Sequence, residues 1–287
     1  MRRAAVLVLL AGGCAGGSAD REYWIETAAK HGFTPPEIGA VVGSGRVEPP
    51  TVEPPAPFTL LPYPGGRHPR LGFLEGAVDP RRDTKFSLFL PGGGYAVVDF
   101  PEALWVGKDL VYLAHTHLPT VWDRQGVTLP RVDWTRKADG SLESRQRLPD
   151  GVEFFARAKP GNRGADLELR VRNGSARTLA GLRSQVCVLL RGAPGFDAPS
   201  KDNKVLIEKH GVEAARSADG RRWIATAFER GRLWQNPPCP CIHSDPSFPD
   251  VPPGGEAVAR GRVFAYEGAD FAAELDRRAA AGTLLPR

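Results

Sequence analysis

The sequence predicts an all-β fold, an antiparallel β-sandwich that ends in a short C-terminal helix. Short segments in which apolar and polar residues alternate recur along the chain, most cleanly from Asp166 to Arg172. Turn signals such as Asp139-Gly140 and Asp219-Gly220 stand between these segments, with almost no helical periodicity. Closely spaced alternating strands are typical of antiparallel sheets, whereas parallel strands need long crossover connections.

Residues 1–19 have the three regions of a secretory signal peptide. Met1 to Arg3 is basic, Ala4 to Ala11 is apolar, and small residues follow. The apolar run is far shorter than the roughly 20 residues that span a bilayer. Cleavage is predicted either before Cys14, in a segment that resembles a bacterial lipoprotein lipobox, or after Ala19. We therefore predict an extracytoplasmic protein of the periplasm or cell envelope, with a lipid anchor on Cys14 as its membrane contact.

Residues 20–57 are predicted to form a short helix followed by a proline-rich segment. The helix covers Asp20 to His31, and seven prolines lie between residues 33 and 57. This density of proline favours either an extended, polyproline-like tether or a segment that packs on the domain surface. The β-sandwich domain is then expected to cover residues 58–287.

The strands of this domain are predicted from apolar alternation and from apolar runs between turn residues. They cover Lys85 to Leu90, Gly94 to Phe100, Leu110 to His117, Gly151 to Ala158, Asp166 to Arg172, Gly181 to Leu190, Arg222 to Phe228 and Ala257 to Ala265. The C-terminal helix is predicted from Asp270 to Ala279. Asp270 can cap its start, Gly282 can end it, and Phe271 and Leu275 share one face.

The charge pattern does not favour nucleic acid as a partner. The formal net charge is +5, from 38 basic and 33 acidic residues. The basic residues are interspersed with acids, and no basic stripe alternates with aromatic residues. Nucleic-acid binding is therefore not predicted.

The segment from Asn236 to Pro246 holds the densest set of reactive side chains. Two thiols, an imidazole and a carboxylate lie within seven residues: Cys239, Cys241, His243 and Asp245. Flanking prolines restrict the backbone, so this loop loses less entropy when it orders. We therefore expect the loop to hold a functional geometry.

Three cysteines remain once Cys14 is lipidated or removed. An odd number in an exported chain implies a free thiol, an intermolecular bridge or a metal ligand. Cys187 lies in an apolar strand and is predicted to be a small buried hydrophobic residue. A disulfide between Cys239 and Cys241 would be strained, whereas a bridge from Cys187 to either one is sterically allowed.

His115 and His117 lie two residues apart on an apolar strand, so both imidazoles face the same side. This spacing suits two ligands of one divalent metal or an acid/base pair. The alternative is that one of the two histidines lies in the core with its hydrogen bonds satisfied, and that the other lies on the surface. If the 236–246 loop packs over this strand, His115, His117 and His243 become candidate metal ligands. Together with Asp245, they are also the candidate catalytic residues for proton transfer on a sugar.

Trp122 and Trp234 are candidate platforms for sugar rings. Flat indoles stack on the apolar faces of sugars, and Asp123, beside Trp122, supplies a carboxylate for hydroxyl groups. Core packing is the alternative role for each indole.

Residues 58–268 resemble the β-supersandwich of galactose mutarotase-like, carbohydrate-associated proteins. The resemblance rests on Arg82, on the strand and turn from Leu167 to Ser175, and on an apolar strand that ends near Gly195-Phe196. It implies a supersandwich-like fold, a carbohydrate ligand and a substrate-binding role for Arg82. Mutarotases use a histidine acid and a glutamate base, but Arg191 to Phe196, where the family places the histidine, contains none. Epimerase activity is therefore not implied.

Together these features predict an exported protein that binds or processes carbohydrate, with a divalent metal as a candidate cofactor. The alternatives are a non-catalytic binding module and a structural surface protein of the cell envelope. Sequence alone leaves open whether the protein is an enzyme.

Overall fold

The computed structural model describes residues 18–65, 67–68, 72–73, 84–114 and 118–286. Within these residues, two large antiparallel sheets of six and eight strands pack face to face. Three α-helices accompany them, and the last helix is short and C-terminal. The predicted all-β sandwich with a C-terminal helix is confirmed. No helix in the described ranges is long and apolar enough to cross a bilayer.

The helices and the strands are each numbered in chain order. The helices are α1 (Ser18–Lys30), α2 (Pro35–Val41) and α3 (Phe271–Ala280). The strands are β1 (Leu60–Pro62), β2 (Arg67–His68), β3 (Gly72–Phe73), β4 (Lys85–Phe89), β5 (Tyr95–Val106), β6 (Asp109–Leu113), β7 (Thr135–Arg136), β8 (Leu142–Arg147), β9 (Glu153–Gly161), β10 (Gly164–Arg172), β11 (Leu182–Leu189), β12 (Lys204–Ile207), β13 (Val212–Arg216), β14 (Arg222–Phe228), β15 (Gly231–Arg232), β16 (Cys241–His243), β17 (Asp245–Pro246) and β18 (Glu256–Glu267).

The smaller of the two large sheets, which we call the first sheet, is organised around the long strand β5. Its strand order is β1-β4-β5-β11-β16. Strand β5 pairs with β4 along its first half and with β6 along its second half, while β11 runs along its other edge. The second sheet has the order β12-β13-β14-β18-β10-β9-β8-β7. Two short strand pairs, β15-β17 and β2-β3, stand apart from both sheets.

The main core lies between the two sheets because each contributes every second side chain to it. In β4, Phe86 and Leu88 face inward, and in β10, Leu167, Leu169 and Val171 do the same. This is the period of two that a pleated strand imposes. Burial of these side chains is the main stabilising contribution to the fold.

The N-terminal residues cover the outer face of the first sheet. Helix α1, helix α2 and the segment after them bury Ile25, Phe33, Ile38 and Val47 against this face. His31, directly after α1, also hydrogen-bonds Ser87 of β4 through its Nε2, at 2.9 Å. The beginning of the proline-rich segment is thus packed against the domain.

Helix α3 covers part of the outer face of the second sheet. The Asp270 carboxylate accepts a hydrogen bond from the Ala273 N–H at 2.9 Å, which caps the helix. Phe271 and Leu275 are buried against β13, β14 and β18. Gly282 follows with φ of 63°, a conformation that favours glycine. The Asp270 cap, the shared face of Phe271 and Leu275 and the Gly282 end were predicted from sequence, whereas the packing of the helix on the second sheet was not.

Candidate functional site

The reactive loop at 236–246 becomes an edge strand of the first sheet. Strand β16 pairs with β11, so that Cys187 lies opposite His243 and Leu189 lies opposite Cys241. Because residues two apart share a face, the side chains of Cys187, Cys241 and His243 lie on one side of the sheet. That side is the outer face, beneath the N-terminal segment.

These three side chains form a compact buried group, which we call the thiol–imidazole cluster. One donor atom from each lies within 4.8 Å of the other two. The Cys241 Sγ and His243 Nε2 atoms are 3.2 Å apart. Cys187 and Cys241 are fully buried, His243 is 1% exposed, and neither cysteine forms a disulfide within the described residues. The same holds for Cys239, which is buried next to Cys241.

Asp245 and Trp234 support the imidazole from outside the cluster. The Asp245 carboxylate accepts hydrogen bonds from the Val186 N–H at 3.0 Å and from the Trp234 Nε1–H at 2.6 Å. One of its oxygens lies 3.8 Å from His243 Nδ1. The Trp234 and His243 rings stack with centroids 4.1 Å apart. Trp234 therefore packs against the histidine, and both tryptophan and carboxylate fix its orientation.

Buried charges surround the cluster. Burial opposes a charge on His243, but the Asp245 carboxylate and the Cys241 sulfur outweigh it and raise the pKa of the imidazole. The neighbouring Cys187 thiol and burial raise the pKa of Cys241. Glu213 of β13 accepts a hydrogen bond from the His243 backbone N–H at 2.6 Å.

We expect Glu213→Gln to weaken the dependence of stability on pH. Burial raises the pKa of the Glu213 carboxyl from 4.5 to about 7, with a contribution from Asp245, against the opposing effects of His243 and Lys204. The folded protein therefore holds a proton that the unfolded chain has lost, so the free energy of unfolding falls as the pH rises between these values. At 1.36 kcal/mol per pKa unit, the loss is roughly 3 kcal/mol.

Glutamine keeps the acceptor oxygen for the His243 N–H but carries no charge. Urea unfolding at pH 5 and pH 8 should show wild type losing stability relative to Glu213→Gln as the pH rises. The exposed Glu208→Gln is the matched control and should follow wild type. Parallel pH profiles for Glu213→Gln and wild type would contradict this expectation.

A row of buried polar residues crosses the first sheet and includes the cluster. Lys85, Asp99, Cys187 and His243 lie opposite one another on β4, β5, β11 and β16. The Lys85 Nζ and Asp99 Oδ2 atoms are 3.7 Å apart, and both side chains are almost completely buried. Buried charges of this kind persist only when they are paired.

Four of the predicted site residues have no described position. His115, His117, Arg82 and Cys14 are outside the described residues, so their predicted catalytic, metal-binding, substrate-binding and lipidation roles stay predictions.

Trp122 and Asp123 are held by local contacts. Trp122 is buried in the core between the sheets and donates its Nε1–H to the Val111 carbonyl at 2.8 Å. Asp123 accepts hydrogen bonds from the Thr120 N–H and hydroxyl, both at 2.7 Å. The indole of Trp122 is turned to the protein interior, and the sugar-binding roles of Trp122 and Asp123 stay predictions.

A cleft of about 450 Å³ opens at one end of the sandwich, where loops of both sheets meet. We call it the end cleft. It lies between the β4–β5 turn, the segment after β11, the β9–β10 turn, the start of β14 and the end of β18. Four aromatic residues line it: Phe58, Phe196, Trp223 and Tyr266. Loops that converge at the end of a rigid scaffold commonly form binding sites.

Two arginines give the end cleft a basic character. The Arg222 guanidinium lies over the Phe196 ring, 5.5 Å from its centroid, and Arg163 lines the cleft nearby. Among the residues that the structure describes, neither guanidinium has a carboxylate within 4.0 Å. Glu267 is the single carboxylate among the described lining residues. Gly195, with φ of 87°, leaves room for Arg222, because a Cβ there would lie 3.2 Å from its Nη2.

Sequence reasoning missed the end cleft and the contribution of Cys187 to the cluster. The described lining residues come from six separated stretches and form no motif. The apolar run around Cys187 correctly indicated burial, but nothing local indicated that His243 would lie opposite it.

Comparisons with known proteins give only distant similarities. No family model matches the chain, and no curated protein matches it. Similar solved structures include a putative aldose 1-epimerase from Klebsiella pneumoniae, with 12% identity over 53% of this chain and 58% of that chain, and a TM-score of 0.34. A Synechocystis protein matches with 10% identity over 60% of this chain and 78% of that one, with a TM-score of 0.35. A mutant of heparan sulfate lyase HepC from Pedobacter heparinus matches with 10% identity over 68% of this chain and 32% of that one, with a TM-score of 0.36.

A putative aldose 1-epimerase is thus among the solved structures with low similarity to this chain, and the resemblance to galactose mutarotase-like proteins is a loose one. This chain spans little more than half the length of the epimerase and about a third of the lyase.

Proposed function

We propose that the protein binds carbohydrate in the end cleft, and that its ligands are saccharides with a carboxylate or sulfate group. The observation that supports this proposal is the combination, in one concave site, of aromatic rings with two guanidinium groups that have no described carboxylate partner. Aromatic faces suit the apolar faces of sugar rings. Guanidinium groups suit planar anionic groups, which they bind through paired hydrogen bonds.

Binding is favoured over glycoside hydrolysis. Most glycosidases need two carboxyl groups on either side of the scissile bond. The described lining residues of the end cleft supply one, Glu267. His243, for which a catalytic role was predicted, is buried under Trp234 and is not among these lining residues. The proposed function is therefore that of a binding module, and export through residues 1–19 stays a prediction.

Arg222→Ala is expected to weaken binding of an acidic oligosaccharide by roughly 10-fold to 100-fold. A hydrogen bond to a charged group contributes about 1.5–3 kcal/mol, and about 1.4 kcal/mol corresponds to a tenfold change in affinity. Isothermal titration calorimetry with a glucuronate-containing oligosaccharide, and with its carboxyl-reduced neutral counterpart, measures the effect. The neutral sugar should bind wild type more weakly and should be insensitive to the substitution.

Arg221→Ala is the matched control, because Arg221 precedes Arg222 in the chain, is exposed and does not line the cleft. It should bind the acidic oligosaccharide as wild type does. Equal affinity of wild type for the acidic and neutral sugars, or unchanged affinity in Arg222→Ala, would overturn the proposal. Near-ultraviolet circular dichroism of each variant checks that the fold is retained.

A further inference from the structure

The thiol–imidazole cluster has the donor atoms and the spacing of a metal site. In a tetrahedral zinc site with Zn–S bonds of about 2.3 Å, two sulfur ligands lie roughly 3.8 Å apart. The donor atoms of Cys187, Cys241 and His243 all lie within 4.8 Å of one another, and Cys241 Sγ and His243 Nε2 are 3.2 Å apart. Small side-chain rotations can therefore bring all three onto one ion.

The sheet holds the three donors in place before any ion binds. Cys187 and His243 are directly opposed on β11 and β16, and Cys241 lies two residues before His243 on the same face. Backbone pairing, rather than a mobile loop, sets their separation. A site on regular strands loses little entropy when it takes up a ligand.

The histidine is oriented as a metal ligand requires. Metal-binding histidines commonly direct their second ring nitrogen to a carboxylate, which fixes the tautomer and the ring. Here Nε2 faces Cys241, and Nδ1 faces the Asp245 carboxylate at 3.8 Å. Nδ1 is buried and has no hydrogen-bond partner among the described residues. Trp234 stacks on the ring and prevents it from turning away.

The surroundings favour a cation. Two buried carboxylates, Glu213 and Asp245, and one ammonium group, Lys204, face the cluster. Lys204 is held by the backbone carbonyls of Ala198 and Ser200. A third buried thiol, on Cys239, lies beside Cys241 but outside the group of three donor atoms that lie within 4.8 Å of one another.

We propose that Cys187, Cys241 and His243, with Cys239 as the additional donor, bind one thiophilic d10 metal ion, Zn2+ or Cu+. Thiolate ligands select these ions, and a mixed set of cysteine and histidine donors is typical of closed zinc sites. On binding, each coordinating thiol exchanges its proton for a bond to the metal, the His243 imidazolium releases its Nε2 proton, and all of these protons pass to solvent. No electron transfer accompanies this step. The inference is independent of saccharide binding in the end cleft.

The wild-type protein provides the first test, because it needs no substitution that could disturb folding. The reduced, metal-free full chain is titrated with Zn2+ alone and, anaerobically, with Cu+ alone. We expect one equivalent of at least one ion to bind and to protect the buried cysteines from alkylation in urea. Co2+ should give the sulfur-to-metal charge-transfer absorption of a thiolate site. Absence of stoichiometric binding by both ions would overturn the proposal.

Variants then locate the site. Cys241→Ser and His243→Gln should lose the Co2+ charge-transfer spectrum or shift it, with at least a 10-fold weaker Zn2+ or Cu+ affinity. Asp245→Asn should weaken affinity by about 10-fold to 100-fold, as for other outer-shell partners. His31→Gln is the matched control, because His31 is a buried histidine outside the cluster that bonds Ser87. Retention of the wild-type spectrum and affinity in Cys187→Ser/Cys241→Ser would contradict the assignment.

Discussion

Asp99→Ala is expected to destabilise the protein by about 3–5 kcal/mol, because it removes the carboxylate that faces the Lys85 ammonium group. Both side chains are almost completely buried on the outer face of the first sheet, with 3.7 Å between Nζ and Oδ2. In the Asp99→Ala variant, the buried Lys85 ammonium group would be shielded from water and would no longer face the Asp99 carboxylate. Urea unfolding followed by tryptophan fluorescence measures the difference in free energy of unfolding.

Two further variants show that the effect comes from the buried pair. The double replacement Lys85→Met/Asp99→Leu removes both charges and should recover most of the lost stability, since apolar residues often replace buried ion pairs without cost. Lys209→Ala breaks the exposed pair with Asp276 and should change stability by less than about 1 kcal/mol. If Asp99→Ala changed stability no more than Lys209→Ala does, the N-terminal segment would not seal this layer from water.

Leu169→Ala is expected to destabilise the protein by about 2–5 kcal/mol. Leu169 is fully buried at the centre of β10, in the core where the two sheets meet. The substitution removes apolar contacts and leaves a cavity that neighbours on two paired sheets can fill only in part. Differential scanning calorimetry, together with urea unfolding at one pH, measures the loss.

Leu118→Ala is the matched control for this substitution, because Leu118 is 53% exposed. It should alter stability by less than about 0.5 kcal/mol. Similar effects for the two leucines would mean that the sheets do not enclose a common core.

Alternation of side chains explains why most of the longer strands were predictable. Strand β10 shows the point: Leu167, Leu169 and Val171 alternate with charged residues, because one face meets the core and the other meets solvent. Strand β13 was missed, since Glu213 interrupts its apolar pattern, and the partners that bury this carboxylate come from elsewhere in the chain. The short strand β16 was missed because the prolines before and after it indicated a loop.

The candidate functional sites were harder to predict than the strands, because they depend on the pairing of strands that are far apart in sequence. Local sequence picked out His243 and Asp245 as a reactive pair, and the structure places them side by side. Local sequence did not indicate that Cys187 would join this pair. The register between β11 and β16 depends on the pairing of strands that are more than fifty residues apart in sequence. The end cleft is harder still, since Phe196 and Arg222 meet only after both sheets have formed.

The most direct test of carbohydrate binding in the end cleft is a crystal structure of the protein with a glucuronate-containing oligosaccharide. We expect the carboxylate within hydrogen-bonding distance of the Arg222 or Arg163 guanidinium, and a sugar ring in contact with the aromatic lining of the cleft. An oligosaccharide bound at another surface, with the end cleft filled by solvent alone, would contradict the proposed function.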